Sequence, residues 1–385
     1  MPAHRTYYRA IAGFYFFYFA FVGMFAPYWS LYLQSLRFDA IDIATLMALQ
    51  PVMRMTAPNL WGWLADYTGQ RRAVVVMAAA LSALFYVGVF FTQSFWGLFA
   101  VLLLMNFFWS ASMPLVEATT FSYLGRNTAH YGRLRSWGSI GFIVSVVGLG
   151  YAFDHIAIAW LLWAGLACEL GILFFARQIP ETRASAHHSD QQPILRIVLQ
   201  PHVLALLAAS FLMAVAHAPY YTFFSIHLVG HAYSKTAVGL LWALGVVCEI
   251  VVFFLMPRLA QRFSPARLLQ AGLAAAVLRF LLIGWCVDNL AIMLGVQMLH
   301  ALTFGAFHVA AVALVHAFFR GRHQSRGQAL YSSLSYGAGG MLGTLASGPV
   351  WHHWGASMLY SVSAAIALFG LLIVLWHNRA LTESQ

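Results

Sequence analysis

The chain has 385 residues, 62% of them hydrophobic and only 8% charged, with mean hydropathy +0.75 and a formal net charge of +10. Soluble domains carry about 25% charged residues, so this inventory excludes an ordinary water-facing protein. Apolar runs of about 20 residues recur along the whole length, each long enough to cross a bilayer as a helix. The short alternating strands of a membrane barrel are missing.

Taken in order, the spans fall at roughly 10–33, 41–64, 73–92, 95–122, 136–153 and 156–176, then 202–229, 236–257, 268–287, 290–318, 328–349 and 355–377. The first has basic residues before it but no small-residue cleavage pattern, so it reads as a retained span. The expected fold is an all-α polytopic membrane protein of twelve transmembrane helices. Residues 177–201 form the longest polar connection and separate six spans from six. His187 and His188 in that stretch have no further metal ligand at usable spacing and read as solvated loop. A shift of 195 residues lays Leu64–Ala65 on Leu259–Ala260 and Gly132 on Gly327. Repeats of this kind are common in transporters. The expected domains are a first six-helix bundle at 1–176, a central loop at 177–201 and a second, pseudo-symmetric bundle at 202–385.

Basic residues alternate between loops. The N-tail, the even-numbered loops and the C-tail hold Arg5, Arg9, Arg71, Arg72, Arg126, Arg133, Arg135, Arg177, Arg183, Arg196, Arg258, Arg262, Arg267, Arg320, Arg322, Arg326 and Arg379. The odd-numbered loops hold only Arg37 and Lys235. By the positive-inside rule both termini face the cytoplasm, which fits a bacterial inner membrane protein. The basic balance thus reflects topology. No basic–aromatic platform for nucleic acid is present. Cys168, Cys248 and Cys286 all fall within spans, so no disulfide framework is implied.

Between spans 2 and 3 runs WGWLADYTGQRR, residues 61–72. Topology alone would need only Arg71 and Arg72. The added Gly62, Asp66 and Gly69 ask for turns and an acid near helix ends. This order resembles the Gly-x-Leu-Ala-Asp-x-x-Gly-x-Arg loop motif of the major facilitator superfamily, with Tyr67 and Gln70 standing where basic residues are usual. The resemblance implies a conformational latch formed by Gly62, Asp66, Gly69, Arg71 and Arg72, and a secondary transporter working by alternating access. Residues 131–142, 216–228, 238–250 and 299–312 are similar to the phenylpropionate-permease branch of proton symporters.

Charges at mid-bilayer cost at least about 2.5–3.5 kcal/mol, so they are functional candidates. Arg54, Glu117, Glu169, Glu249 and Arg279 lie inside spans, as do His217, His300 and His308. Glu169, towards the end of span 6, reads as structural. Glu249 on span 8, Arg279 on span 9 and His300 on span 10 are similar in kind to the machinery of lactose-permease-like symporters. That likeness implies proton coupling through Glu249, Arg279 and His300, with Glu117 and His308 as further candidates for the proton carrier. The acid usual one turn after the span-10 histidine is replaced by Thr303 and Phe304. At 100° per residue, His217 shares a face with Tyr220, Tyr221 and Phe224, and His300 with Phe304 and Phe307. An aromatic cleft with few polar groups suits a small, flat, partly apolar ligand. Arg54, Asn106, Trp109, Tyr15 and Tyr18 are further candidates for substrate contact.

The expected activity is uptake of a small organic solute, such as an aromatic carboxylic acid, with the proton as coupling ion and no other cofactor. A functional monomer in the lipid bilayer is expected, with no nucleic-acid partner. Efflux by antiport is disfavoured because span 5 lacks the proline of the usual Gly/Pro motif. A sugar or nucleoside symporter and a non-transporting sensor are rival readings. Motifs of common hydrolases, metalloproteases and nucleotide-binding enzymes are missing. The topology has a direct test. Cysteines introduced beside Arg37 or Lys235 should react with an impermeant thiol reagent outside intact cells, and those beside Arg126 or Arg322 should not.

Overall fold

The structure, a computed structural model, describes residues 2–125, 130–182 and 194–377; the side chains of 2–6, 322 and 325 are not described. Arg126, Arg183, Arg379, His187 and His188, and the side chains of Arg5 and Arg322, therefore lie outside the described residues. Fourteen α-helices are found among the described residues, and no strand. In chain order they are α1 (Pro2–Ser35), α2 (Ala40–Thr68), α3 (Arg71–Val87), α4 (Phe95–Leu124), α5 (Tyr131–Phe153), α6 (Leu161–Ala176), α7 (Leu195–Val198), α8 (Pro201–Gly230), α9 (Lys235–Arg262), α10 (Pro265–Trp285), α11 (Leu290–His300), α12 (Phe307–Phe318), α13 (Gln324–Ser332) and α14 (Gly340–Trp376).

Ten segments of the described chain are long and apolar enough to cross a membrane. Two details connect ten to the twelve expected from sequence. The last segment, Arg326–Trp376, runs for 51 residues and contains Gly355 at φ 77°, ψ −175°, a non-helical break inside α14. Only glycine adopts that conformation without strain, and it divides the segment where spans 11 and 12 are expected to part. The other is α2, which is 29 residues long but carries Gln50, Arg54 and Asn59 in its middle and is not among the ten.

Spans 10 and 11 also depart from regular α-helix. Between α11 and α12 the chain makes a π-helical stretch at Ala301–Ala306, and between α13 and α14 another at Ser333–Gly339. Such wide turns are rare and concentrate at functional sites.

The chain forms two compact units, residues 1–188 with 234–240, and residues 189–233 with 241–385. In the first, α1 packs on α5 and α6, while α3 and α2 pack on α4. Aromatic side chains fill its centre: Phe14, Tyr15, Phe21, Trp29, Tyr86 and Trp109 are all essentially inaccessible. In the second, α14 packs on α8 and α10, and α10 on α12.

The first turns of α9 group with the first unit through Asp154, at the end of α5. Its carboxylate accepts from the backbone N–H of Lys235 (2.8 Å) and Thr236 (2.9 Å) and from the Thr236 hydroxyl (2.5 Å). These are N–H groups that a helix start leaves without partners, and an acid there also meets the positive end of the helix dipole. Burial alone would raise the Asp154 pKa, but the bonds from Thr236 and Lys235 outweigh it and hold the carboxyl below its ordinary value. A lowered folded pKa means that the bonus is fully present above the ordinary carboxylate range and is lost as pH falls through the folded value. Asp154→Ala should therefore lower stability by about 1 kcal/mol or less, as for an exposed cap. Thermal melts should show that difference at neutral pH and show it shrinking below the ordinary carboxylate range.

Candidate substrate and coupling site

In the second unit the polar residues of α8, α10, α11 and the π-helical stretch converge on Arg279. Its side chain is 0% exposed. Nε donates to the Val296 carbonyl (3.2 Å), and Nη1 reaches the Thr303 hydroxyl (3.3 Å) and His217 Nε2 (3.4 Å). The guanidinium carbon stands 4.2 Å from the centre of the Tyr220 ring, a cation–π contact. His217 Nδ1 lies 3.0 Å from the Met213 carbonyl, which can only accept, so Nδ1–H is the donor. In the neutral ring the Nε2 lone pair then faces Arg279 and the Thr303 hydroxyl (3.2 Å).

Three polar atoms in this cluster have no hydrogen-bond partner: Arg279 Nη2, Gln297 Nε2 and His300 Nδ1. Gln297 is 0% exposed and accepts from the Tyr220 hydroxyl at 2.9 Å, which leaves its amide N–H groups unused. Among the described residues no carboxylate comes within salt-bridge distance of Arg279. Buried donors normally find acceptors. Here a cationic donor and an amide donor remain open in one aromatic setting, with Tyr220 flanked by Phe224 at 4.7 Å and Trp242 at 4.8 Å.

Glu249, half-buried on α9, approaches His300 Nε2 at 3.9 Å. His300 stacks on Tyr220 (5.8 Å, 27°) and on Phe304 (5.5 Å, 11°). Phe304 stacks in turn on His308 (6.2 Å, 13°). Regular helix geometry sets His300 and His308 about 80° apart; the π-helical turn between them is wider and lets both rings stack on Phe304. Phe307 stands against Gly272 of α10. His308 Nδ1 meets the hydroxyls of Tyr336 (2.7 Å) and Tyr331 (3.3 Å). Tyr221 is half-buried beside Tyr220 at 5.4 Å. Gln297, Trp242, Tyr331 and Tyr336 belong to this cluster, although sequence reasoning does not single them out; Thr303 belongs to it too, and the sequence marks it only as standing where an acid is usual. Gln297 carries a readable signal, a primary amide amid an apolar run.

In the first unit, Tyr18 stacks flat on Trp109 (4.3 Å, 11°), and the Arg54 guanidinium lies 6.0 Å from the Trp109 ring. Trp109 Nε1 and Asn106 Oδ1 are buried without partners, while Asn106 Nδ2 donates to Leu102 O at 2.8 Å. Tyr15 meets the Thr120 hydroxyl at 3.3 Å, and Glu117 accepts from the Tyr131 hydroxyl at 3.1 Å.

The 61–72 motif builds a local network in this unit. Gly69 caps α2 at φ 64°, and Arg71 Nη2 lies 3.9 Å from the exposed Asp66 carboxylate. Beyond the motif, Arg72 donates to the Arg177 carbonyl (2.6 Å), and its backbone N–H donates to Glu181 Oε1 (3.1 Å). Arg71 Nη1 reaches Thr182 (3.4 Å). The loop is thus tied to the residues that follow α6, a tie that needs Glu181 and is not visible in the motif itself. Gly62 has open space around it.

The profile of the MFS_1 like family matches residues 8–362. The chain belongs to this family and is a transporter of the major facilitator type, an integral membrane protein. It is 29% identical over 363 residues to a probable 3-phenylpropionic acid transporter of Escherichia coli (strain K12), covering 92% of this chain and 93% of that one. It is 28% identical to the maltose permease of Geobacillus stearothermophilus, covering 94% and 92%. In fold it is similar to the crystal structure of a point mutant of the nucleoside transporter NupG, with TM-score 0.84, 15% identity and coverage of 98% and 99%.

The Tyr220–Gln297 bond has a measurable weight. Tyr220→Phe leaves Gln297 Oε1 buried without a donor and should cost about 1–3 kcal/mol. Adding Gln297→Leu should return part of that loss, read from melting temperatures in detergent.

Proposed function

We propose that the protein takes up a small organic anion, an aromatic carboxylic acid being the best match, together with a proton. It acts as a monomer in a bacterial inner membrane with both termini in the cytoplasm, and the proton is its only coupling partner. The observation that carries this reading is the Arg279 cluster. A buried cation with an open Nη2, beside an open Gln297 amide and no neighbouring carboxylate, offers donors that an incoming carboxylate can fill. The rings of Tyr220, Trp242 and Phe304 supply the apolar walls for an aromatic body. The name of the E. coli relative supports the same ligand class.

Coupling follows from charge. Arg279 stands against Tyr220, Tyr220 against His300, and His300 against Glu249. A free guanidinium opposes the arrival of a proton on its neighbours. A bound substrate anion neutralises that charge, so proton uptake at Glu249 and His300 becomes easier. Substrate and proton then bind cooperatively and cross together. The Asp66–Arg71 latch in the 61–72 loop biases which conformation is at rest.

Glu249→Gln keeps the shape but removes the titrating group. Exchange of labelled for unlabelled substrate across proteoliposomes should survive, because exchange needs no net proton movement. Accumulation driven by a pH gradient should disappear. Accumulation at the wild-type level would remove Glu249 from the mechanism. A sugar or nucleoside symporter, the second reading favoured by the maltose and nucleoside relatives, would instead accumulate those neutral solutes.

A further inference from the structure

Glu169 stands apart from all of this. It lies on α6 in the first unit, is 0% exposed, and neither carboxyl oxygen has a hydrogen-bond partner. Ser82 of α3 sits beside it and is itself buried, with its hydroxyl unpartnered. Tyr86, one turn along α3, has its hydroxyl committed to the Leu162 carbonyl at 3.2 Å. Gly165, a turn before Glu169, leaves the space that the Tyr86 hydroxyl occupies. The elements packed on α6 are α1, α3 and the turn at 158–160. The titratable groups near Glu169 are Tyr18 of α1, Tyr86 of α3 and Cys168 on its own helix, none of them a cation. Among the described residues no Lys, Arg or His is within salt-bridge distance.

An ionised carboxylate buried without counter-charge or donor costs several kcal/mol, and such a group takes up a proton instead. Yet a leucine would fill the space at no such cost. Glu169 is seven residues from the end of α6, about 10 Å along the helix.

We propose that Glu169 is a second proton-binding site, separate from Glu249, held as the neutral acid between α3 and α6 and discharged when those helices part enough to admit water. In the discharge the carboxyl O–H bond breaks, its electron pair stays on the carboxylate, and the proton passes to water. Ser82 then donates to the new anion. This inference does not rest on the symport reading, since it concerns protonation of the first unit alone.

Infrared difference spectroscopy of the full-length protein in lipid, as pH is raised, tests it. Wild type should show a carboxylic-acid C=O band at neutral pH that disappears reversibly as pH is raised while the fold persists. Glu169→Gln should lack that band at every pH, and Glu249→Gln should retain it. Ser82→Ala should keep the band but move its midpoint to higher pH, a readout that stands if Glu169→Gln fails to fold. The proposal is overturned if Glu169 is already ionised at neutral pH, if its band never titrates in the folded protein, or if the titrating band is lost in Glu249→Gln instead.

Discussion

The guanidinium of Arg279 is a full charge with no access to water, and much of the second unit is arranged around keeping it there. Isolated, such a group would be very costly inside a membrane. The Val296 carbonyl, the Thr303 hydroxyl, the His217 ring and the face of Tyr220 each take a share of the charge. The sharing is incomplete, because Nη2 has no partner. Replacing a buried charge with apolar packing is often neutral or stabilising, so fold stability gives little reason to keep this one. Recognition of an acid gives a direct reason.

The same logic distinguishes satisfied polar groups from open ones in both units. Asp154 is satisfied three times over, and its work is to hold the first turn of α9. The 61–72 loop is tied through Arg72 to Glu181 and the Arg177 carbonyl, although Arg71 Nε stays buried without a partner. Arg279, Gln297, His300, Asn106, Trp109 and Glu169 each keep an atom open in a buried setting. Proteins rarely leave such atoms open without a ligand, a water or a proton to fill them.

The class of the molecule is legible in the sequence because hydropathy acts over whole spans. The alternation of loop arginines supports a count that divides the long stretch Arg326–Trp376 near Gly355. The 61–72 motif places its own residues, since turns and caps are local. The π-helical turns are not legible, because no residue pattern announces the extra residue in a widened turn. Regular helix spacing therefore assigns His300 and His308 to different faces, whereas both rings stack on Phe304. Pairings between residues far apart in sequence, such as Glu181 with Arg72 or Tyr220 with Gln297, need three-dimensional register that a single sequence does not carry.

The central claim is that Arg279 binds a substrate carboxylate. Its most direct test compares 3-phenylpropionate with its uncharged amide by the rise in melting temperature of the purified transporter, in wild type and in Arg279→Gln. Binding to the folded state must raise the melting temperature by mass action. The account predicts stabilisation of the wild type by the acid, little by the amide, and loss of the difference in Arg279→Gln. Equal stabilisation by acid and amide, or an acid effect that survives in Arg279→Gln, would contradict it.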